Sequence, residues 1–323
     1  MDIKLRRLAI LVALAFICGC SNEKEQPKQP VAGDNRRDAK MEPTDSPFSD
    51  ERSLEFDGPS FTDASLKALP HLDKIEVLTL ANTAVTDEGC RELLRARSLV
   101  EIAIISDEIT DDTLAVLAQL PSLRSLQIHH GPKIGDEGLE HLRGCTGLRE
   151  LYLMETAITD RGLLAIQNLP QVWSLILDGT AVSDEGVAAL AEMQKLFLLS
   201  LKNTRVVGHG VAKLRDNEHF SVYMDETPAT DEGVIAIAQG LSNLKVISLN
   251  RTTVGDRAAE ALSKLPRLND VRFSHTKLTD EGLSAFSGHP FVDVIYVGGC
   301  AVTESTTNMV KKTSPRRLTV YGL

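Results

Sequence analysis

The residues able to do chemistry in this 323-residue chain are its carboxylates, histidines and cysteines, and their spacing decides between catalysis and architecture. One acidic column stands out: Asp87, Asp111, Asp136, Asp160, Asp184, Asp231, Asp256 and Asp280. Six of the eight directly follow Thr86, Thr110, Thr159, Ser183, Thr230 and Thr279. Such a column could ligate calcium. A hydroxyl followed by an acid is also how a helix start is capped, the hydroxyl accepting from free amides and the acid facing the positive end. Capping explains both residue types, and no glycine-rich calcium nonapeptide is present. His129 and His130 form the one adjacent histidine pair, a candidate contact or metal site beside an inserted residue. We find no HExxH, GxxxxGK or GxSxG, and no cysteines at metal spacing. The chain therefore reads as a non-enzyme without cofactor or metal.

One cysteine has a chemistry of its own. Lys4, Arg6 and Arg7 precede an apolar run from Leu8 to Ile17, the build of a secretory signal peptide and too short to span a bilayer comfortably. Ile17-Cys18-Gly19-Cys20 follows and resembles a bacterial lipobox. The resemblance implies cleavage after residue 19 and diacylglycerol on the Cys20 thiol, with the chain exported and anchored to the outer membrane or the outer leaflet of the cytoplasmic membrane, facing away from the cytoplasm. Several acyl chains together would make release negligible. Residues 20–50 are charged, proline-dotted and poor in large apolar groups, so they read as a tether, with a flexible span on the order of 30 Å. Loss of residues 1–19 removes three bases and one acid, taking the formal charge from −10 to −12. That balance argues against nucleic acid and anionic lipid, leaving the lipid as the membrane contact. Cys90, Cys145 and Cys300 remain, an odd number at unrelated spacings, and read as small buried residues.

Behind the acidic column lies a repeat. LTLANTAVTDEGCRELL, LYLMETAITDRGLLAIQ, LILDGTAVSDEGVAALA and VRFSHTKLTDEGLSAFS share one template. The first apolar residues are Leu54, Leu78, Ile102, Leu126, Leu151, Leu175, Leu199, Val222, Ile247, Val271, Ile295 and Leu318, in eleven steps of 23 to 25 residues. Alternation such as Leu151-Tyr152-Leu153 has a strand's period, and GLLAIQNL has a helix's. One short strand and one short helix cannot bury their own apolar sides, but a stack of them can. The template LxLxxTxxTDxGLxxLxxLxxL resembles the leucine-rich repeats, in particular short bacterial members and the cysteine-containing type of F-box receptors. The resemblance implies an α/β solenoid, or horseshoe, over 51–323, with a concave parallel sheet of about 12 short strands and convex helices. Threonines 83, 156, 180, 204, 227, 252 and 276 stand where most relatives carry asparagine, which predicts a weaker ladder. Val207-Gly208-His209-Gly210 replaces TDEG in repeat seven and predicts a local irregularity. The first and last strands are expected to be open edges, a route to self-association.

A repeat fold fixes a scaffold rather than an activity. On the concave side, Ile105, His129, Tyr152, Met154, Ile176 and Leu198 form an apolar and aromatic middle, whereas Lys202, Asp225, Asn250, Arg272 and Ser274 follow later. Trp173 and Phe197 fall two residues before the strand anchor in adjacent repeats. These eight apolar, aromatic and histidine positions are the expected partner-binding site, for an unidentified protein or peptide. Asp178, Lys202 and Asp225 are expected to neutralise one another. The alternative functions are a structural or polymer- or carbohydrate-binding envelope protein and, by the F-box resemblance, a substrate receptor in ubiquitin ligation.

Overall fold

A computed structural model describes residues 52–214 and 220–322. The signal sequence, Cys20 and the tether lie outside the described residues. Twelve strands form one open parallel sheet in chain order, from β1 (Ser53–Asp57) to β12 (Thr319–Tyr321). The register runs anchor to anchor, Leu54 opposite Leu78 and Leu151 opposite Leu175, as the repeat predicts. One anchor is corrected: Ile295 pairs with Val320, not Leu318. The last helix, Glu304–Thr313, has ten residues, and the chain after it enters the strand two residues later.

Apolar residues at anchor and anchor-plus-two, such as Leu151 and Leu153, are fully buried between sheet and helices. Together they make one continuous core. Nine strands are followed by a left-handed turn four residues after the anchor: at Asn82, Glu155, Asn203, Glu226, Arg251 and His275 with φ between 50° and 59°, and at Gly58, Gly179 and Gly299 with φ between 72° and 94°. That backbone turns the chain outward and aims its N–H at the next repeat, for example Glu155 N–H to the Asp178 carbonyl at 2.8 Å.

The acidic column has a structural use beyond capping. Thr86, Thr110, Thr159, Ser183 and Thr279 each cap their own helix by accepting an amide two residues on. Each also donates its hydroxyl, and its backbone N–H, to the aspartate of the preceding repeat. Asp136 thus accepts from Thr159 N at 2.8 Å and Thr159 Oγ1 at 2.7 Å. Asp63, Asp87, Asp160, Asp256 and Asp280 repeat the pattern. The glycine of TDxG makes room for it: a Cβ on Gly162 would meet Asp136 Oδ1 at 2.5 Å. Among the described residues, no three His, Cys, Asp or Glu side chains gather to hold a metal ion.

The threonine column closes turns within a repeat rather than bridging repeats. Thr156, Thr180, Thr204, Thr227 and Thr252 donate to the carbonyl three residues back, at 2.6–3.1 Å. In repeat seven the carboxylate ladder stops. Asp184 turns to the amides of Val207, Gly208 and Gly210, and Thr230 is left with the Val207 carbonyl at 3.3 Å. Repeats seven and eight touch backbone to backbone there, since a Cβ on Gly233 would meet the Val207 carbonyl at 2.0 Å. The three cysteines are free thiols; burial pushes the Cys90 thiol up to about 12.

Candidate functional site

Strand pairing sets concave side chains about 4.8 Å from their lateral neighbours, so large ones crowd and cover each other. This decides how much of the expected patch is surface. Tyr152 and Ile176, adjacent across β5 (Glu150–Leu153) and β6 (Ser174–Ile176), are each only 3% exposed. Ile105, Met154 and Leu198 are half-buried on the same face, as is His129. Trp173 and Phe197 stand at the edge where the chain enters β6 and β7 (Leu198–Ser200), stacked nearly parallel with ring centroids 4.9 Å apart. Phe197 is 37% exposed. The structure therefore joins Leu198, Phe197 and Trp173 into one accessible apolar edge at the strand entry, while Tyr152 and Ile176 are buried in the sheet and Met154 follows the exit of its strand.

Beside Tyr152 lies a polar network the sequence reading did not single out. Gln127 Nε2 donates to Glu101 Oε1 at 3.0 Å and to Ser125 Oγ at 3.1 Å; Ser125 Oγ donates to Glu150 Oε2 at 3.0 Å. With its amino group so committed, Gln127 presents Oε1 to His129 Nε2 at 3.1 Å, which places a proton on that nitrogen. Ser174 Oγ reaches the Tyr152 hydroxyl at 3.4 Å. Burial pushes the Glu150 carboxyl up to about 7, opposed by the Ser125 bond and reinforced by the Glu101 charge. Burial likewise raises Glu101 and Tyr152 and lowers His129. The signal for this network was the strand column itself, because Glu101, Ser125 and Glu150 are lateral neighbours at one repeat position.

The later concave residues hold strands together. Asp178 accepts from Ser200 Oγ at 2.6 Å and Lys202 N at 2.9 Å, and Asp225 accepts from Ser248 Oγ at 2.5 Å and Asn250 N at 2.8 Å. Lys202 Nζ lies 3.9 Å from Asp225, with both side chains mostly covered, which supports mutual neutralisation. Burial pushes Asp178 up to about 6. Further along, Arg272 pairs with Asp270 at 3.0 Å and sits over the rings of Tyr223 and Tyr296, and Tyr296 stacks on Tyr321 at 4.8 Å. His130 bridges Asp107 at 2.8 Å and Glu155 at 2.7 Å on the strand-exit side, away from the Gln127 network.

These groups hydrogen-bond to one another and pack. Comparison with known proteins agrees on architecture. A family model described as Leucine Rich repeat matches residues 119–142, 144–166 and 266–287. No curated protein matches the chain. Among solved structures, an internalin (inlF) from Listeria monocytogenes is similar at 16% identity, covering 83% of this chain and 86% of its own, with a TM-score of 0.53. A chain of the yeast Rad7 and Elc1 complex is similar at 15% identity, covering 84% of this chain and 81% of its own, with a TM-score of 0.50. At such identities the likeness speaks for fold alone, and the fold of the described residues is that of a leucine-rich-repeat solenoid.

Proposed function

We propose that this chain is a non-catalytic interaction module, exported and held to the cell envelope by lipid on Cys20, that engages a protein or peptide through the concave face of repeats three to seven. The observation that carries it is the Trp173–Phe197 stack continuous with Leu198. Two rings held parallel at a solenoid edge offer a rigid apolar anchor at little entropic cost, which is how binding hot spots are built. The buried Gln127 network would hold the neighbouring sheet face in one conformation.

Two measurements test the halves separately. Radiolabelled palmitate should enter the full chain and be lost in Cys20→Ala; labelling of that variant would sink the anchor. For the face, a photo-crosslinking amino acid at Phe197 or Leu198 should trap a partner in intact cells, whereas one at the convex Leu164, itself 51% exposed, should not. Trapping from Leu164 alone would move the site to the other side.

A second reading rests on the sheet ends. Strands β1 and β12 are each paired on one side among the described residues, so copies could join end to end. Sedimentation that depends on concentration would favour it. The substrate-receptor reading draws on the F-box-type repeat resemblance and the shared fold of the yeast complex chain, and an export signal would send this chain to another compartment.

A further inference from the structure

The rim of repeats nine to twelve carries a second concavity with different chemistry. Asn243, Lys245, Arg267, Asn269, Phe291 and Arg316 line an open pocket of about 640 Å³. Three of these are cations and none is a carboxylate. Asp293 lies 3.8 Å from Arg316 and accepts from Asn269 Nδ2 at 2.7 Å. Arg316 also lies over the Phe291 ring, 5.2 Å from its centre. Lys245 and Arg267 are exposed and have no ion-pair partner among the described residues.

Some exposed bases meet an acid, as in Arg52–Glu76, Arg143–Glu140, Arg257–Glu232 and Lys264–Glu260, and others, such as Arg161 and Lys277, stand singly on the surface; Lys245, Arg267 and Arg316 differ in lining one concavity together. The whole chain carries a formal charge of −10, so acids are abundant. Cations left without them in a concavity form a local positive site within a negative field. Counting Asp293 against Arg316, the pocket keeps the charge of Lys245 and Arg267.

We propose that this pocket binds a sulfate or phosphate ester carried on a saccharide chain. Guanidinium and ammonium groups match the oxyanion. The volume falls within the roughly 300–1,000 Å³ that encloses a small organic ligand, so a lone inorganic ion would leave most of it empty. Phe291, 41% exposed, gives an apolar face for the carbon side of a sugar ring, and Asn269, whose amino group is spent on the Phe291 carbonyl and Asp293, keeps its amide oxygen to accept from a sugar hydroxyl. The pocket lies on later repeats than the Trp173–Phe197 edge, so either assignment can fail while the other stands.

The test uses the full chain in detergent with dextran sulfate, uncharged dextran and sodium sulfate as probes at fixed ionic strength. Dextran sulfate should bind and dextran should not. The Lys245→Ala/Arg267→Ala variant should bind about tenfold more weakly, the sum of two modest exposed charge contacts. The Lys311→Ala/Lys312→Ala variant, on the helix Glu304–Thr313 outside the pocket lining, should bind like the parent. Unchanged melting of both variants would confirm that the comparison is of binding. Equal loss in the two variants would overturn the pocket in favour of diffuse charge, and absence of dextran sulfate binding would overturn it outright. Sodium sulfate displacing the polymer at equal sulfate concentration would overturn the ester and leave a free-ion site.

Discussion

Glu150 should make the solenoid less stable as pH rises toward neutrality, and Glu150→Gln should remove that dependence. The carboxyl is 9% exposed, accepts from Ser125 Oγ and faces Glu101 two strands away. Its folded pKa of about 7 stands above the ordinary 4.5, so the folded state holds the proton more tightly than the unfolded chain. Below pH 4.5 both states are protonated and the contribution is fully present. Between 4.5 and about 7 the unfolded chain releases the proton first, and stability falls with rising pH. At about 1.4 kcal/mol per pH unit the loss is bounded near 3 kcal/mol, and the neighbouring solvent-facing edge reduces it. A glutamine keeps an oxygen to accept from Ser125 and has no charge to desolvate. Urea denaturation of parent and variant at pH 5 and pH 8 checks this: the variant should match the parent at pH 5 and exceed it by about 1–3 kcal/mol at pH 8. Parallel curves at the two pH values would refute the buried-carboxylate argument. Asp178, also raised by burial to about 6, supplies a second fall in the same direction that persists in the variant.

Gly162→Ala should destabilise by roughly 1–3 kcal/mol, because its methyl meets Asp136 Oδ1; in an Asp136→Ala background the cost should shrink, and additive denaturation energies would contradict the contact. Asp136→Ala alone should cost about 1–3 kcal/mol by stripping Thr159 of its acceptor, again read by denaturation. Amide exchange at Thr230, held by a carbonyl at 3.3 Å, should be faster than at Thr159, held by a carboxylate at 2.8 Å; the reverse order would deny that repeat seven interrupts the ladder. Trp173→Ala should lose about 0.5–1.5 kcal/mol of ring stacking beyond the area it buries, measurable as a coupling with Phe197→Ala.

The architecture was legible because it rests on period and buried type, which a sequence states directly. Leu78, Ile102 and Leu126 had to share one sheet row, and each does. The anchor at Leu318 misled because Leu318 is itself buried, at 7%, and apolar character alone does not distinguish it from Val320. The ladder was half legible: the Thr-Asp pair announces a cap, but the partner of Asp136 lies 23 residues on and depends on how closely the repeats stack. The candidate site was least legible. Tyr152 reads as a concave residue, and only the lateral contact with Gln127 and Ile176 shows that little of its ring meets solvent.

Crowding on the concave face also limits what a partner could read there. Asp178, Asp225 and Asn250 already serve backbone amides of the following strand, as the aspartate column serves the following cap. A charge engaged in that way offers a partner less than its type suggests, because recruiting it leaves an amide unsatisfied. The groups still able to gain from contact are those whose packing is incomplete: the Trp173–Phe197 edge, with Leu198 beside it, and the cations of Lys245 and Arg267. They lie where the chain enters the strands, whereas exposed apolar side chains such as Leu164 and Met309 stand on the helical side. Both proposed sites therefore share the entry rim more than the middle of the sheet.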